Sequence, residues 1–275
     1  MITDQKRSDG GNAKMLKNQR QNEILEMLAK DNFISVNTLA ERLYASLPTV
    51  RRDLNALETA GLVKRCHGGV MLYEGKETSP VYFRQGKNAG EKARMAKCAA
   101  SLLRVGDVIY ADASSTALHV ADNIDKNGKY TVITNGLLAA KKFAESGALV
   151  YSTGGRLLTD SYAFVGHTAE ESLDKYNADI MFFSAASLSD KGAISDWSEE
   201  ECNMRVAMSK HAKVKVFMCD STKFSTTSAF KLFSLSKVDY IVSDAPLSEK
   251  IMSSFSPIPV KTSPAYLYKI EKKKT

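Results

Sequence analysis

Short apolar runs recur through the last two-thirds of the chain, and helical stretches separate most of them. The first helical stretch is expected over 91–103, and others over 137–145 and 200–211. Strands spaced by helices predict a largely parallel sheet with both faces covered, and therefore an α/β domain. The apolar runs, each a predicted strand, lie at 108–111, 130–133, 148–151, 179–183, 214–218 and 240–242.

The 275 residues are enough for two domains, and a polar stretch with Gly75, Pro80 and Gly86 separates two differently patterned regions. The first region has the pattern of a small helical module, and the second has the α/β pattern. The sequence therefore predicts five segments: a disordered tail over 1–17, a first domain over 18–75, a linker over 76–90, an α/β domain over 91–255 and a C-terminal extension over 256–275.

The first domain carries three helix patterns followed by a β-hairpin pattern. One amphipathic helix begins near Asn18 and ends near residues 30–32. Ser35 and Ser46 are each placed to N-cap a following helix, and Pro48 falls in the first turn of the third, where its missing N–H costs little. Apolar residues at helical spacing predict the buried faces, Val36, Leu39, Ala40 and Leu43 on the second helix and Leu47, Val50, Leu54 and Leu57 on the third. Gly61 ends the third helix, and residues 62–70 read as a wing containing Gly68 and Gly69.

A short helix, a tight turn and a second helix can present the latter to the major groove of DNA. With the leucines inward, the third helix turns its polar residues outward, where arginine can grip guanine, asparagine can read adenine and a threonine methyl can touch thymine. Basic residues on the wing suit phosphate or minor-groove contacts. A three-helix bundle with a solvated basic face remains the alternative. The candidate DNA contacts are Ser46, Pro48, Thr49, Arg51, Arg52, Asn55, Lys64, Arg65 and His67.

Charge and cysteine usage place few further restrictions on function. The chain has a formal net charge of +7, but residues 1–75 carry only +2, so DNA binding must depend on local clustering. The four cysteines have neither CxxC nor metal-ligand spacing, which predicts reduced thiols, no metal site and no cofactor. The sequence shows neither a membrane-spanning apolar run nor a signal segment, so a cytoplasmic protein is expected.

Polar loops follow several of the predicted strands of the α/β domain. The stretch DASST, residues 112–116, offers hydroxyls and helix-start N–H groups to an anion, although these residues taken alone favour simple N-capping by Asp112 or Ser114. Lys223 in the stretch DSTKF is placed to neutralise a phosphate, although a solvated surface lysine is the alternative. The candidate ligand-binding residues are Asp112, Ser114, Ser115, Thr116, Thr134, Asn135, Gly154, Gly155 and Lys223.

The stretches TLAERL and PTVRRDLNALETAGLVKRCHGGV, within 36–70, resemble the DNA-binding module of the DeoR family of repressors. The resemblance implies that Thr49, Arg51 and Arg52 contact operator DNA. It continues over about 80–243 with the family's effector domain, a Rossmann-like domain similar in fold to ribose-5-phosphate isomerases, and implies that 112–116 is a phosphate cradle. The chain departs from the family by Ser114 in place of a glycine and by residues 184–187 in place of a glycine-containing turn.

The favoured interpretation is a repressor of carbohydrate-metabolism genes that is controlled by a phosphorylated sugar. It needs operator DNA as a partner and a homo-oligomer, dimer or tetramer, to read repeated half-sites. One alternative is a sugar-phosphate isomerase or hydrolase with an attached DNA module, with Asp112, Asp196 and Lys223 as proton-transfer groups. Another is a constitutive DNA-binding protein whose second domain only oligomerises.

Overall fold

In a computed structural model, the chain divides into two units, residues 1–75 and 76–275. The structure describes residues 17–31, 33–66, 69–72 and 81–271. Residues 1–16 of the predicted tail, and His67 of the predicted wing, lie outside these ranges.

The first unit contains the three helices and the hairpin that the sequence predicts. The Oγ atoms of Ser35 and Ser46 accept the backbone N–H of Thr38 and Thr49 at 3.0 and 3.4 Å, which confirms both N-caps. Pro48 falls in the first turn of the third helix, as expected. The elements are α1 (Lys17–Lys30), β1 (Ile34–Ser35), α2 (Val36–Arg42), α3 (Leu47–Thr59), β2 (Val63–Cys66) and β3 (Gly69–Leu72).

A three-stranded antiparallel sheet completes the first unit, with β3 between β1 and β2. Gly69 pairs with Ser35, and a Cβ at position 69 would lie 2.4 Å from the Phe33 ring and 2.6 Å from the Ile34 carbonyl oxygen. Only glycine permits this approach of the strands. The hairpin is therefore joined to the helices through β1, as a wing should be.

The core of the first unit is formed largely by the predicted helix faces, although Val36 and Ala40 are only partly buried. Leu39, Val50, Leu54 and Leu57 are buried, whereas Leu47, predicted to be buried, is 38% exposed. Leu47 is the first residue of α3, where the chain has only begun to turn into the core, so the helical spacing misplaces its side chain. Burial of each remaining leucine or valine contributes roughly 1.5–3 kcal/mol.

The second unit is an α/β domain built on an eight-stranded sheet. Its helices are α4 (Val81–Gly86), α5 (Ala89–Ala100), α6 (Leu137–Glu145), α7 (His167–Ser172), α8 (Glu199–Lys210) and α9 (Glu249–Phe255). Its strands are β4 (Val108–Ala111), β5 (Thr131–Thr134), β6 (Leu149–Ser152), β7 (Arg156–Leu158), β8 (Ala163–Val165), β9 (Ala178–Phe183), β10 (Ser187–Leu188), β11 (Ala193–Asp196), β12 (Ala212–Met218), β13 (Phe230–Ser234), β14 (Tyr240–Ser243), β15 (Ile258–Lys261) and β16 (Tyr266–Lys269).

The strand order of the main sheet is β15-β16-β14-β12-β9-β4-β5-β6. The six strands from β14 to β6 are parallel, and β15 and β16 add an antiparallel edge. Neighbouring residues of a strand pack into different cores, since Met181 and Phe183 lie in one cluster and Ile180 and Phe182 in the other. A parallel sheet covered on both faces, as predicted, is the result.

Two predicted boundaries of the second unit are wrong. The linker predicted over 76–90 is helical from Val81, because Val81 is buried and its N–H donates to the Asp160 carbonyl at 2.7 Å. The extension predicted over 256–275 is part of the fold, since β16 pairs with β14 and Leu267 is fully buried. Within the described ranges, each helix is too short or too polar to span a lipid bilayer.

Candidate functional site

The exposed face of α3 is the one that the sequence predicts. Pro48, Arg51, Arg52 and Asn55 are exposed, and Thr49 is partly buried beside its capping serine. On the opposite face, Asp53 is buried and accepts the Nε–H of Arg20 at 2.5 Å, which ties α1 to α3. The two arginines are therefore accessible while the helix itself is fixed from behind.

The wing contacts the same face of α3. Arg65 Nη1 donates to Asn55 Oδ1 at 2.7 Å, and the Arg65 N–H donates to Glu58 Oε1 at 3.2 Å. The Asn55 amide oxygen has two acceptor positions, so the bond from Arg65 leaves one of them and the Nδ2 donors for reading adenine. Lys64 and Arg65 are both exposed.

A cavity of about 270 Å³ lies at the carboxyl ends of the adjacent strands β4, β9 and β12, and we call it the strand-end pocket. Ligands in open α/β sheets commonly occupy this position. Its wall is formed by residues from the α4–α5 segment, Arg84 to Lys92, by the loops 114–116, 184–186 and 220–223, by Asp196 and Trp197 after β11, and by Arg205 of α8.

Lys92 is the least exposed lysine of the pocket, at 4%. Its Nζ donates to Ser115 Oγ at 3.1 Å and to the Arg84 carbonyl oxygen. Burial, followed by the charge of Lys223, lowers the pKa of Lys92 to about 7. An anion in the pocket would favour the protonated amine, so the ammonium of Lys92 is available to a ligand of negative charge.

Lys223 is the second lysine of the pocket and lies near enough to Lys92 to perturb it. Its Nζ donates to Ser184 Oγ at 3.0 Å and lies 3.4 Å from Asp220 Oδ2. Burial raises the pKa of Asp220, but the charge of Lys223 and the hydroxyl of Thr222 outweigh it, and the net shift is downward. The aspartate is therefore ionised and offsets only part of the positive charge.

The loop 112–116 divides its polar groups between the fold and the pocket. Asp112 accepts the N–H and Oγ–H of Ser114 and the N–H of Ser184, so it holds the loop rather than a ligand. The helix that the sequence predicts after this loop is a seven-residue 3-10 helix, Ala117–Asn123. Thr116 Oγ1 is buried against the pocket and has no hydrogen-bond partner among the described residues. It is the group of this loop that most needs a ligand.

Arg205 is fully buried and joins three carboxylates beside the pocket. Its Nε donates to Asp112 Oδ2 at 2.7 Å, its Nη1 to Asp196 Oδ2 at 2.8 Å and its Nη2 to Glu201 Oε2 at 3.0 Å. Burial opposes its charge, but the three carboxylates outweigh this and raise its pKa above the ordinary value. The cluster is an ionised network with more negative than positive groups.

Besides Asp112, four predicted ligand residues do not line the strand-end pocket. Thr134 Oγ1 accepts the N–H of Gly136, where a Cβ would lie 2.9 Å from the Ala113 backbone, so this motif supports the 112–116 loop from behind. Asn135 Nδ2 donates to the Phe164 carbonyl at 3.1 Å. Gly154 and Gly155 turn the chain into β7 with positive φ angles. The prediction placed them at the pocket because it treated all strand ends as one crevice, whereas β5 and β6 lie toward one edge of the sheet.

Sequence reasoning missed Arg84, Asn88, Lys92 and Arg205 as pocket residues. The first two were assigned to a linker, and Lys92 and Arg205 lie on helices where a charged residue is ordinary. Trp197 also lines the pocket and is 37% exposed.

Two protein families match the chain. The family described as the DeoR-like helix-turn-helix domain matches residues 20–76, and the one described as the DeoR C terminal sensor domain matches residues 87–245. Among curated relatives, the HTH-type transcriptional regulator GolR of Listeria innocua serovar 6a is 31% identical over 88% of this chain and 97% of its own length. The transcriptional repressor AccR of Agrobacterium fabrum is 32% identical over 82% of this chain and 89% of its own length.

Solved structures with a similar fold include ribose 5-phosphate isomerase A from Methanocaldococcus jannaschii, at a TM-score of 0.38 and 16% identity over 67% of this chain and 80% of that chain. The tetrameric eIF2B β2δ2 complex from C. thermophilum gives a TM-score of 0.41 and 14% identity, with 82% of each chain covered. Likenesses at this level carry no information about activity.

Proposed function

The chain belongs to the DeoR family of transcriptional regulators, and from this premise we propose that it represses carbohydrate-metabolism genes under the control of a phosphorylated sugar in the strand-end pocket. Membership in the family makes the chain a regulator rather than an enzyme. The alternative of a sugar-phosphate isomerase or hydrolase is therefore set aside. Operator recognition by α3 and the wing, and the identity of the effector, belong to the proposal.

The observation that carries the effector proposal is the convergence of Lys92, Lys223 and Thr116 on one cavity. Two lysines near each other supply charge for a phosphate, and the hydroxyls of Ser115 and Thr116 supply hydrogen bonds. Charge-assisted hydrogen bonds of this kind are stronger than neutral ones. The remainder of the cavity leaves space for the carbon skeleton that carries the phosphate.

The DNA proposal depends on the exposed arginines of α3. Arg51 and Arg52 project from a helix that is capped, anchored through Asp53 and flanked by a basic wing. One such helix reads only a few base pairs, so we expect a homo-oligomer on repeated half-sites. Affinity should fall steeply with salt, since each phosphate contact releases counterions.

Effector control requires that the ligand bind one DNA-binding state more tightly than another. A 100-fold difference in ligand affinity corresponds to about 2.7 kcal/mol of shift between the two states. The sign expected here is release of DNA on effector binding, as for a repressor that is relieved by its sugar.

The test is a thermal-shift measurement of the full chain with pentose and hexose phosphates, followed by mobility shift on operator fragments. We expect at least one phosphate ester to raise Tm and to weaken DNA binding, whereas the dephosphorylated sugar does neither. If no ester stabilises the protein while sequence-specific DNA binding persists, the constitutive alternative is correct and the effector proposal fails.

A further inference from the structure

The strand-end pocket has two chemically different walls. One wall carries Lys92 and Lys223, held by Ser115 and Ser184. The other carries Asp196 and Trp197, and behind it Arg205 is shared among three carboxylates. Arg84 and Lys87 also line the cavity, so a ligand that filled it would meet several cations and, around Asp196, a cluster in which three carboxylates share one arginine.

Resting on the effector function above, we propose that Asp196 and Trp197 form a head-group subsite that selects an effector with a single phosphate and a polyhydroxylated, non-anionic head. The subsite would accept a neutral sugar or an amino sugar. It would reject a sugar bisphosphate or a sugar-acid phosphate, whose second anion must approach the carboxylates.

Asp196 has hydrogen-bonding capacity left for a ligand. Its Oδ1 accepts the N–H of Trp197 at 2.7 Å, and its Oδ2 accepts Arg205 Nη1 at 2.8 Å. A carboxylate offers about four acceptor positions, so roughly two remain for hydroxyl or ammonium donors. The hydrogen bonds from Arg205 and from the Trp197 backbone hold the Asp196 carboxylate in one orientation, so ligand binding does not have to order this side chain.

Trp197 is suited to cover the carbon skeleton of the same head group. Trp197 lines the pocket and is 37% exposed. Its backbone N–H donates to Asp196 Oδ1, so the two side chains proposed to contact the head group come from adjacent, hydrogen-bonded residues. An aromatic face next to an acceptor matches a sugar, which has both C–H faces and hydroxyl edges.

A second anion placed next to Asp196 is disfavoured by the charged side chains that contact one another there. Arg205 carries one positive charge, while Asp112, Asp196 and Glu201 carry three negative ones, all four side chains being buried. Like charges at such a site repel more strongly than in water because the local dielectric is low. The unpartnered Thr116 hydroxyl on the phosphate side indicates that the cavity is built for an occupant rather than packed closed.

The experiment compares matched ligands on the full chain by calorimetry and thermal shift. Glucose 6-phosphate is paired with 6-phosphogluconate, and fructose 6-phosphate with fructose 1,6-bisphosphate; ribose 5-phosphate and inorganic phosphate complete the set. In the wild type, each monophosphate with an uncharged head should bind at least tenfold more tightly than its partner that carries a second anionic group.

Two variants test the residues themselves. Asp196→Asn should weaken the neutral monophosphates about tenfold, the value of a hydrogen bond to a charged group, and should reduce the discrimination against 6-phosphogluconate by a similar factor. Trp197→Ala, outside the buried ion network, should weaken the sugar phosphates but leave inorganic phosphate unchanged. The matched control is Glu199→Gln, which removes the same charge from an exposed carboxylate that does not line the pocket.

Three results would overturn the inference. Equal binding of the two members of each pair would remove the selectivity, and unchanged affinity ratios in both variants would remove Asp196 and Trp197 as its source. If phosphate esters bind without discrimination, the proposed function stands and only the head-group subsite falls. If no phosphate compound binds at all, both fall.

Discussion

Arg205 Nε donates to Asp112 Oδ2 at 2.7 Å across 93 positions of the chain, which joins the middle of α8 to the loop after β4. The same guanidinium holds Asp196 and Glu201. One buried cation thus fixes both the phosphate-side loop and the wall that faces the rest of the ligand. The positions of Asp112, Asp196 and Glu201 consequently depend on the side chain of Arg205.

Replacing Arg205 by Met should lower the free energy of unfolding by about 3–5 kcal/mol, because the three buried carboxylates lose their shared partner. Urea denaturation of the ligand-free protein measures this loss of unfolding free energy. Arg156→Met removes an arginine whose ion pair with Glu200 is exposed, and should cost under about 1 kcal/mol. Equal losses in the two variants would contradict the role given to the buried network.

Arg52→Ala should reduce operator affinity roughly 10- to 100-fold without changing the oligomeric state or Tm, since the side chain is exposed on α3 and supports no core contact. Mobility shift over a salt series measures the affinity and its slope. Arg104→Ala, an equal loss of charge at an exposed position of the second unit, serves as the control. Full sequence-specific binding by Arg52→Ala would count against α3 as the reading helix.

Lys223→Ala should abolish most of the response to a phosphorylated effector while basal DNA affinity stays unchanged, because the ammonium is directed at the pocket through Ser184 and Asp220. Ser115→Ala should give a weaker effect of the same sign. The measurement is the effector concentration that releases half of the bound operator. A normal response in both variants would remove the phosphate site from this pocket.

Effector affinity should fall as pH rises above 7, by up to about tenfold per unit, and Lys92→Met should flatten this dependence. Lys92 loses its proton with a pKa of about 7 in the empty pocket, so binding an anion at higher pH must first take up a proton. Phosphate esters are already dianions there, since their second pKa is about 6. Calorimetry at pH 6.5, 7.5 and 8.5 in buffers of different ionisation enthalpy measures the proton uptake directly.

The ligand-free protein should gain about 1.5 kcal/mol of stability from Lys92 between pH 7.0 and 8.5. The folded-state pKa lies below the unfolded value, so the unfolded chain binds more protons in this window and unfolding becomes less favourable as pH rises. The difference between wild type and Lys92→Met in urea denaturation, in buffer free of phosphate and sulfate, isolates the contribution. A difference that does not change with pH would show that Lys92 keeps an ordinary pKa.

Local chemistry was sufficient to predict much of the fold. Ser46 with Pro48 fixed the start of α3, and the apolar run at 108–111 is β4 residue for residue. These features depend on neighbours in sequence, and propensity and capping act at that range. The predicted burial of Leu47 was wrong because helical spacing alone does not show at which residue the helix begins.

The pocket was harder to predict because its members come from distant segments. Ser115 and Lys223 were marked by their position after a strand, a signal visible in the sequence. Lys92 and Arg205 carry no such mark, since a lysine or arginine on an amphipathic helix is usually solvated. Only the tertiary fold brings Lys92 to Ser115, 23 residues away, and Arg205 to Asp112.

The α4–α5 segment sets a limit on how this protein can be dissected. Arg84 and Asn88 line the strand-end pocket, and Val81 is anchored to the Asp160 carbonyl. A truncated sensor beginning at residue 91 would keep the sheet yet lack part of the ligand wall and the first turn of the helix that carries Lys92. Domain swaps and biosensor fusions that aim to preserve effector recognition should therefore be joined upstream of Val81.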